Sequence, residues 1–302
     1  MIRAATRGSA LARWQTDHVA TLLAAAQPST EVEPVVVSTV GDRDTATPIH
    51  SMGGKGVFVK EVQAALLDGR ADIAVHSAKD LPAVTPPGLV LAAVPERADP
   101  RDALIGATFD DLPTGARVGT GSVRRRAQLA WLRPDLTFGE LRGNIATRLD
   151  RLAEFDAIVM AAAALDRLAL APDRVDRLDE QTLVPQVGQG CLAVECRVDD
   201  VETRTLLASV QHPASRHVFE AERAFLAELG GDCDLPAAAH GRLADPADPT
   251  GAVELTGLLA SLDGRVVLRD SRVGDDADVL GRSIARHLLD DAGGHDLLAD
   301  LR

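Results

Sequence analysis

The chain has 302 residues, and its 32 lysines and arginines against 45 aspartates and glutamates give a net charge of −13. An acidic surface disfavours nucleic acid and anionic membranes as partners, and a content of six Phe, two Trp and no Tyr leaves few platforms for stacking bases. The charge is uneven, because residues 1–150 carry 17 basic and 17 acidic side chains whereas residues 151–302 carry 15 and 28. The first half therefore has room for a local basic site.

The length and the motif content of the chain further narrow the class of protein to which it can belong. A chain of this size is expected to form two or three domains. Its longest apolar run, near residues 157–165, is too short to cross a membrane, and no apolar signal segment follows Met1. These features predict a cytoplasmic protein without a membrane partner. Three cysteines without a CxxC pair, and histidines without HExxH spacing, predict neither a disulfide framework nor a metal site.

Short apolar runs alternate with amphipathic helical stretches over the first two thirds of the chain, which predicts an α/β fold. Strands are predicted at 2–6, 32–38, 71–76, 88–94, 116–120, 136–141 and 157–160. Helices are predicted at 10–26, 60–67, 124–132, 145–152 and 163–168. The polar segment 96–102 and the Gly-containing segment 184–190 are each typical of a crossing between domains.

Two crossings indicate a discontinuous first domain, because the strand predicted at 191–195 then returns to it. We therefore predict domain 1 at 1–95 with 191–208, domain 2 at 96–190, and domain 3 at 213–302. Domain 3 has a different character, with a helix at 214–229 ended by Gly230 and Gly231, a hairpin at 255–261 and 265–270, and a helix at 276–290. This pattern predicts a small α+β domain.

Hydroxyl and basic side chains, together with Asp80 and Gly143, follow five predicted strands, where α/β sheets bind ligands. They are Arg7 and Ser9; Ser77, Lys79 and Asp80; Thr120, Ser122, Arg124 and Arg125; Arg142, Gly143 and Arg148; and Arg167. Helix N-termini attract anions, and arginine binds carboxylates and phosphates through two parallel hydrogen bonds. Any one of these arginines is equally compatible with a solvated surface position. Their recurrence at strand ends in an acidic protein predicts a polyanionic ligand, and the absence of a Walker or GxGxxG loop after a strand disfavours a nucleotide.

Three residues are candidates for a direct role in function, but each also has another interpretation. Asp80 could act as a general acid–base group, although a lone aspartate at this position is more typical of an N-cap or a surface salt bridge. Lys55 lies in the glycine-rich segment 53–56, which is either a lid that brings a lysine to the ligand or a plain flexible loop. Cys233 follows two glycines and could be a nucleophile or an attachment point, but its flanking aspartates disfavour an activated thiolate.

Taken together, eight segments in order resemble the hydroxymethylbilane synthase (porphobilinogen deaminase) family. They are Ala5-Thr6-Arg7-Gly8-Ser9, Thr39-Val40-Gly41-Asp42, Gly53-Gly54-Lys55-Gly56-Val57-Phe58-Val59-Lys60-Glu61, Ala71-Asp72-Ile73-Ala74-Val75-His76-Ser77-Ala78-Lys79-Asp80, Glu96-Arg97-Ala98-Asp99-Pro100-Arg101-Asp102, Gly119-Thr120-Gly121-Ser122-Val123-Arg124-Arg125, Leu141-Arg142-Gly143-Asn144 and Gln186-Val187-Gly188-Gln189-Gly190.

The resemblance implies a transferase of tetrapyrrole biosynthesis that joins four porphobilinogens into hydroxymethylbilane and releases ammonia. It implies three domains, the first two like type II periplasmic binding proteins. It also implies a dipyrromethane cofactor in thioether linkage to a cysteine that matches Cys233, a catalytic aspartate that matches Asp80, and a monomer. The family's cofactor-binding set matches Arg7, Ser9, Lys79, Asp80, Thr120, Ser122, Arg124, Arg125, Arg142 and Gly143. Its substrate-binding set matches Arg7, Ser9, Lys55, Ser77, Arg142, Arg148, Arg167 and Gln189.

The sequence departs from the family pattern at two places. Cys233 lies between Asp232 and Asp234, where the family usually has a small or neutral residue after the cysteine, and Ala78 replaces a larger apolar residue. Two other functions remain open at this point, a non-catalytic anion-binding module of the same architecture and a nucleic-acid binder that uses the arginines. The module would need neither Asp80 nor Cys233, and the charge and the low aromatic content oppose the nucleic-acid binder.

Overall fold

The computed structural model describes residues 1–43, 58–230 and 235–299, without the side chains of Asp42 and Arg43. Its strands are β1 (Ile2–Arg7), β2 (Val32–Val37), β3 (Ile73–Ser77), β4 (Leu89–Ala93), β5 (Asp102–Ile105), β6 (Arg117–Gly119), β7 (Thr137–Gly139), β8 (Ala157–Ala161), β9 (Val175–Leu178), β10 (Leu192–Arg197), β11 (Ala237–Leu243), β12 (Val253–Ala260) and β13 (Val267–Gly274). Its helices are α1 (Ala10–Ala26), α2 (Val40–Arg43), α3 (Lys60–Leu67), α4 (Val123–Leu132), α5 (Ile145–Asp150), α6 (Ala162–Arg167), α7 (Val201–Ala208), α8 (Pro213–Glu228), α9 (Ala277–Arg286) and α10 (Gly294–Ala299).

Two five-stranded sheets share one topology. The first sheet has the order β2-β1-β3-β10-β4, and the second has the order β7-β6-β8-β5-β9. In each sheet three parallel strands are followed by one antiparallel strand, β10 or β5, which the chain enters directly from a crossing. This is the strand arrangement of type II periplasmic binding proteins, so the predicted α/β class is confirmed.

Three strands (β5, β9 and β11) and three helices (α2, α7 and α10) were not predicted from the sequence. β5 begins inside the polar segment that we interpreted as a crossing, and Asp102 at its start is fully buried. β9, β11 and α7 also lie in stretches without a clear apolar period. These elements depend on partners distant in the chain, such as β8 for β5 and β12 for β11, which local pattern does not report.

The two crossings lie side by side. The backbone N–H of Ala98 donates to Gly190 O at 3.1 Å, and Arg97 Nε donates to Gln189 O at 2.9 Å. Gly190 has φ +87°, and a Cβ there would lie 2.4 Å from Ala98 O. Only glycine therefore allows the crossings to approach this closely.

The C-terminal unit is an antiparallel sheet, β11-β12-β13, covered by α8 and α9. The predicted hairpin is β12 and β13, and the helix predicted at 276–290 is α9 continued by a π-helical turn at His287–Asp291. Phe219 and Phe225 of α8 are fully buried in a core cluster that also contains Leu81 and Val187. The C-terminal unit thus shares its core with residues close to the first sheet and to the second crossing.

A buried carboxylate joins both crossings to the C-terminal unit. Glu222 of α8 is fully buried and accepts hydrogen bonds from Arg97 Nη1 at 2.6 Å, Gly188 N at 2.7 Å and Gly241 N at 2.9 Å. Burial alone would raise the pKa of Glu222, but Arg97 and His240 lower it to about 2. No local pattern predicts this contact, because Glu222 lies in an ordinary amphipathic helix. Among the described helices, none is both long and apolar enough to cross a bilayer.

Candidate active site

A cleft of about 380 Å³ lies between the first and second sheets, at the ends of their parallel strands. The sequence predicted that such ends hold the ligand site. The structure brings nine predicted residues to the cleft lining: Arg7, Ser9, Ser77, Lys79, Asp80, Ser122, Arg125, Gly143 and Arg148. The other predicted residues that it describes, Thr120, Arg124, Arg142, Arg167 and Gln189, lie behind or beside this lining.

The first sheet supplies a basic side chain and two hydroxyls. Arg7 ends β1, and its guanidinium carbon lies 4.1 Å from the ring centroid of Phe58. Ser9 caps α1, because its Oγ accepts from the N–H of Ala12 at 3.3 Å. Ser77 ends β3 and accepts from Gln15 Nε2 at 2.7 Å. Phe58 also lines the cleft and was not singled out from the sequence.

Asp80 lies on a short 3₁₀ turn, Ala78–Asp80, that follows β3 directly. The second crossing and the residue after it hold this turn: Gln186 Nε2 donates to Lys79 O at 3.3 Å, and Ala78 N donates to Cys191 O at 3.0 Å. Burial and the positive charge of Arg125 lower the pKa of Lys79 to about 7. The turn therefore presents a carboxylate beside an amine that can gain or lose its proton near neutral pH.

The second sheet faces this turn with the N-terminus of α4. Ser122 caps the helix by accepting from Arg125 N at 3.4 Å, and Thr120 Oγ1 accepts from Ser122 N at 3.2 Å. Arg125 reaches the cleft and also pairs with Asp102 at 2.7 Å. A helix N-terminus with an arginine beside it is a ready site for a carboxylate.

Arg124 points away from the cleft. It is buried, pairs with Asp102 at 2.7 Å, and donates from Nη1 to Val184 O at 2.8 Å. Although burial works in the opposite direction, Arg124 and Arg125 hold the pKa of Asp102 well below its usual range. Arg124 lines a smaller cavity of about 20 Å³, together with Leu235 and Phe219 of the C-terminal unit. Its Nε and Nη2 are buried and have no hydrogen-bond partner among the described residues.

The segment after β7 adds Arg148 to the cleft lining, with Arg142 beside it. Gly143 has φ +112°, a conformation that favours glycine, and its carbonyl accepts from Arg148 Nε at 2.8 Å. Burial, then the charges of Arg125 and Arg142, lower the pKa of Arg148 to about 10. The cations in this part of the cleft are thus close enough to repel one another, and an anionic ligand would relieve that repulsion.

Arg167 occupies a different position from the one that its strand-end location suggested. Its Nη2 donates to Gly190 O at 2.7 Å, and its guanidinium carbon lies 5.7 Å from the Trp14 ring centroid. It links α6 to the second crossing and to α1. Its role in substrate binding stays a prediction.

Two models of known families match the chain. The model described as "Porphobilinogen deaminase, dipyromethane cofactor binding domain" matches residues 2–205, and "Porphobilinogen deaminase, C-terminal domain" matches residues 217–290. The chain belongs to the porphobilinogen deaminase family. It is accordingly a hydroxymethylbilane synthase, a transferase of tetrapyrrole biosynthesis, and it contains the dipyrromethane cofactor-binding domain.

Curated relatives agree over nearly the whole length. Porphobilinogen deaminase of Roseiflexus castenholzii is 48% identical, over 97% of this chain and 97% of the relative. That of Chromobacterium violaceum is 46% identical over 98% and 96%, and that of Geobacter sulfurreducens is 43% identical over 99% and 94%. Among solved structures, a nutrient binding protein from Burkholderia cenocepacia bound to methionine aligns with a TM-score of 0.43 at 15% identity, over 76% of this chain and 95% of that one.

Two residues singled out from the sequence, Lys55 and Cys233, lie outside the described residues. The described chain stops at Gly230 and resumes at Leu235, which lines the small cavity beside Arg124. Sequence reasoning missed Asp102, the shared partner of Arg124 and Arg125. The signal was available in retrospect, because an aspartate that begins the apolar run 103–105 needs a buried cation as its partner.

Proposed function

We propose that this cleft binds porphobilinogen and joins its units head to tail, with Asp80 as the acid–base group and the surrounding cations as binding sites for carboxylates. The observation that supports this most directly is that Asp80 lines a cleft whose walls also hold Arg7, Arg125 and Arg148. Each pyrrole unit carries an acetate and a propionate, so the growing chain is a polyanion that needs many cationic contacts.

The role of Asp80 follows from the chemistry of the substrate. Loss of ammonia from the aminomethyl group requires a proton on the leaving nitrogen, and the methylene carbon stays behind as the electrophilic carbon of an azafulvene with positive character. A carboxyl group at this place can donate the proton, and as a carboxylate it can then stabilise the cation.

The cleft has the volume for the family's cofactor, and it adjoins the small cavity, because Lys79 lines both. When bound, a dipyrromethane supplies the covalent primer that the enzyme extends. The buried Nε and Nη2 of Arg124 are donors of the kind that a carboxylate would satisfy. Leu235, two residues after Cys233, lies in the same cavity lining. We infer that Cys233 carries the thioether and that the carboxylates are bound by these residues: Arg7, Ser9, Lys79, Thr120, Ser122, Arg124, Arg125, Arg142 and Gly143.

For the incoming substrate we propose a second, overlapping set: Arg7, Ser9, Lys55, Ser77, Arg142, Arg148, Arg167 and Gln189. We also propose the three-domain division at 1–95 with 191–208, 96–190 and 213–302. The pairing of β10 with β3 and β4 supports a discontinuous first domain.

We further propose that the enzyme acts as a cytoplasmic monomer without a nucleic-acid partner. The net charge of −13 and the scarcity of aromatic residues support the last point. Light scattering on purified protein tests the proposed monomeric state. A salt titration of binding to duplex DNA tests the proposed absence of a nucleic-acid partner. A steep dependence of affinity on salt would contradict the proposal.

Intact mass and turnover test the function together. Purified protein should exceed its sequence mass by two linked pyrrole units, and Cys233→Ser should remove the excess. Asp80→Asn should keep the fold and the excess mass but lose turnover. Protein expressed with ample porphobilinogen that still shows an unmodified mass would refute the attachment site, and near-normal turnover of Asp80→Asn would refute its role.

A further inference from the structure

The segment that directly follows Asp80 is held by a side chain from the C-terminal unit. Arg223 of α8 donates from Nη2 to Ala83 O at 2.8 Å, to Thr85 Oγ1 at 3.2 Å and to Pro82 O at 3.4 Å. Burial lowers the pKa of this guanidinium. An arginine is placed in such an environment at a cost in desolvation, which hydrogen bonds of this kind offset.

A second residue of the same helix contacts the same segment. Phe219 lies one turn before Arg223 and belongs to the core cluster that contains Leu81, the residue after Asp80. A Cβ on Gly188 would meet both the Phe219 ring at 2.6 Å and Ala78 at 3.1 Å. The ring therefore packs close to the start of the turn Ala78–Asp80, which we call the catalytic turn. Residues i and i+4 of α8 therefore hold the segment through an apolar contact and a set of hydrogen bonds.

The helix that makes these contacts also leads to the proposed attachment site. α8 ends at Glu228, and Cys233 follows five residues later. Through Arg223, the same helix also contacts the backbone of Pro82, two residues after Asp80. One helix thus contacts the segment after Asp80 and also leads to Cys233. The primer proposed at Cys233 must be presented to Asp80, so this helix connects the two.

We propose that Arg223 is a positioning residue for the reaction: it fixes the distance and orientation between the turn that carries Asp80 and the helix that leads to Cys233. The inference rests on the proposed function of these two residues. Because misplacement of a reacting group by about 1 Å can cost about a hundredfold in rate, loss of this contact should lower kcat. The KM for porphobilinogen should change little, because the proposed substrate-binding cations lie on the first and second sheets.

A purely structural role is the alternative, and α8 offers a matched control. Arg216 lies two turns earlier and also donates to the first sheet, from Nη1 to Leu91 O at 2.9 Å. Its target is in β4, away from the segment after Asp80. Arg216→Met therefore removes a similar contact between α8 and the first sheet without touching the catalytic turn.

The experiment compares Arg223→Met, Arg223→Lys and Arg216→Met in the full chain. Amide hydrogen exchange over residues 78–85 should be faster in Arg223→Met than in wild type and Arg216→Met. We expect Arg223→Met to gain the mass of two pyrrole units as wild type does, yet to show kcat about tenfold or more lower with KM within about threefold. Lysine, which can still donate one hydrogen bond to Ala83 O, should restore part of the rate.

Two outcomes would overturn the proposal. One is an exchange rate over 78–85 and a kcat for Arg223→Met that both match wild type. The other is a loss of kcat in Arg216→Met equal to that in Arg223→Met, which would reduce both residues to general stabilisers. Asp80→Asn is assayed in parallel. Normal turnover of that variant refutes the function proposed for Asp80, whereas the exchange measurement reports on the Arg223 contact in either case.

Discussion

Lys79 Nζ donates a hydrogen bond to Gln189 Oε1 at 3.1 Å, and this contact ties the catalytic turn to the second crossing. The same oxygen lies 3.5 Å from Arg125 Nη2, while Gln189 Nε2 donates to Asp102 Oδ1 at 2.9 Å and to Pro100 O at 2.7 Å. One fully buried amide thus connects both sides of the cleft and both crossings.

Replacement of the Gln189 side chain should remove the hydrogen bonds that connect the two sides of the cleft. Gln189→Leu leaves Lys79 without its acceptor and Pro100 O without its donor, and each buried unsatisfied group costs about 1–3 kcal/mol. We expect a lower free energy of unfolding and slower turnover. Urea denaturation and steady-state kinetics check this, with Gln181→Leu, on the exposed surface, as a control that should behave as wild type. A stability of Gln189→Leu within error of wild type would contradict the role.

The depressed pKa of Lys79 predicts a pH dependence of stability. The folded chain releases this proton near pH 7, whereas the unfolded chain keeps it up to the ordinary lysine value of 10.5. Between these values the unfolded state binds more protons, so the free energy of unfolding contributed by this group rises with pH. Denaturation between pH 6.5 and 9.5 should show this rise in wild type relative to Lys79→Met. Parallel curves for the two proteins would sink the prediction.

The adjacent arginines of α4 should both be needed for loading of the cofactor. Arg124→Leu and Arg125→Leu should each block assembly of the cofactor or early elongation, because each removes a cation proposed to bind its carboxylates. Arg124→Leu should also reduce stability more than a surface change does, since Arg124 is buried against Asp102 and Val184 O. Arg126→Leu, exposed on the same helix, is the control. Intact mass measures loading, and a fully loaded Arg124→Leu of normal rate would rule out the role.

The Arg97–Glu222 pair should dominate the stability of the junction between the crossings and the C-terminal unit. Glu222→Gln leaves the largely buried side chain of Arg97 without its counter-charge, a change that typically costs about 3–5 kcal/mol. Because the pKa of Glu222 is lowered to about 2, its contribution should be complete above the ordinary value of 4.5 and be lost as pH falls below it. Glu220→Gln on the exposed side of α8 is the matched control, and its pair with Arg216 should matter far less.

These two glutamates can be compared by urea denaturation at pH 7 and at pH 4. The difference between Glu222→Gln and wild type should shrink at the lower pH. A Glu222→Gln protein as stable as Glu220→Gln at pH 7 would show that the junction does not depend on the ion pair.

The sequence was sufficient for the α/β class, for the strand ends at which ligand residues gather, and for the family. Alternation of apolar runs with amphipathic helices is a local property, so β1, β3, α1 and α4 were predicted close to their observed bounds. The polar residues after those strands were found because strand direction alone places them at one edge of a sheet. Likewise, the net charge of −13 did not exclude an anionic ligand, because the cations of the cleft lie at those strand ends.

Only the tertiary structure decided which of these side chains face the cleft. Arg124 and Arg125 are neighbours in sequence, but successive helical residues point about 100° apart, so one turns to the small cavity and the other to the cleft. Asp102 and Glu222 acquired their roles from Arg124 and Arg97, which lie 22 and 125 residues away in the chain, and no local pattern records such pairs. Burial then set the protonation of Lys79 and Glu222, because the cost of a charge depends on what surrounds it after folding.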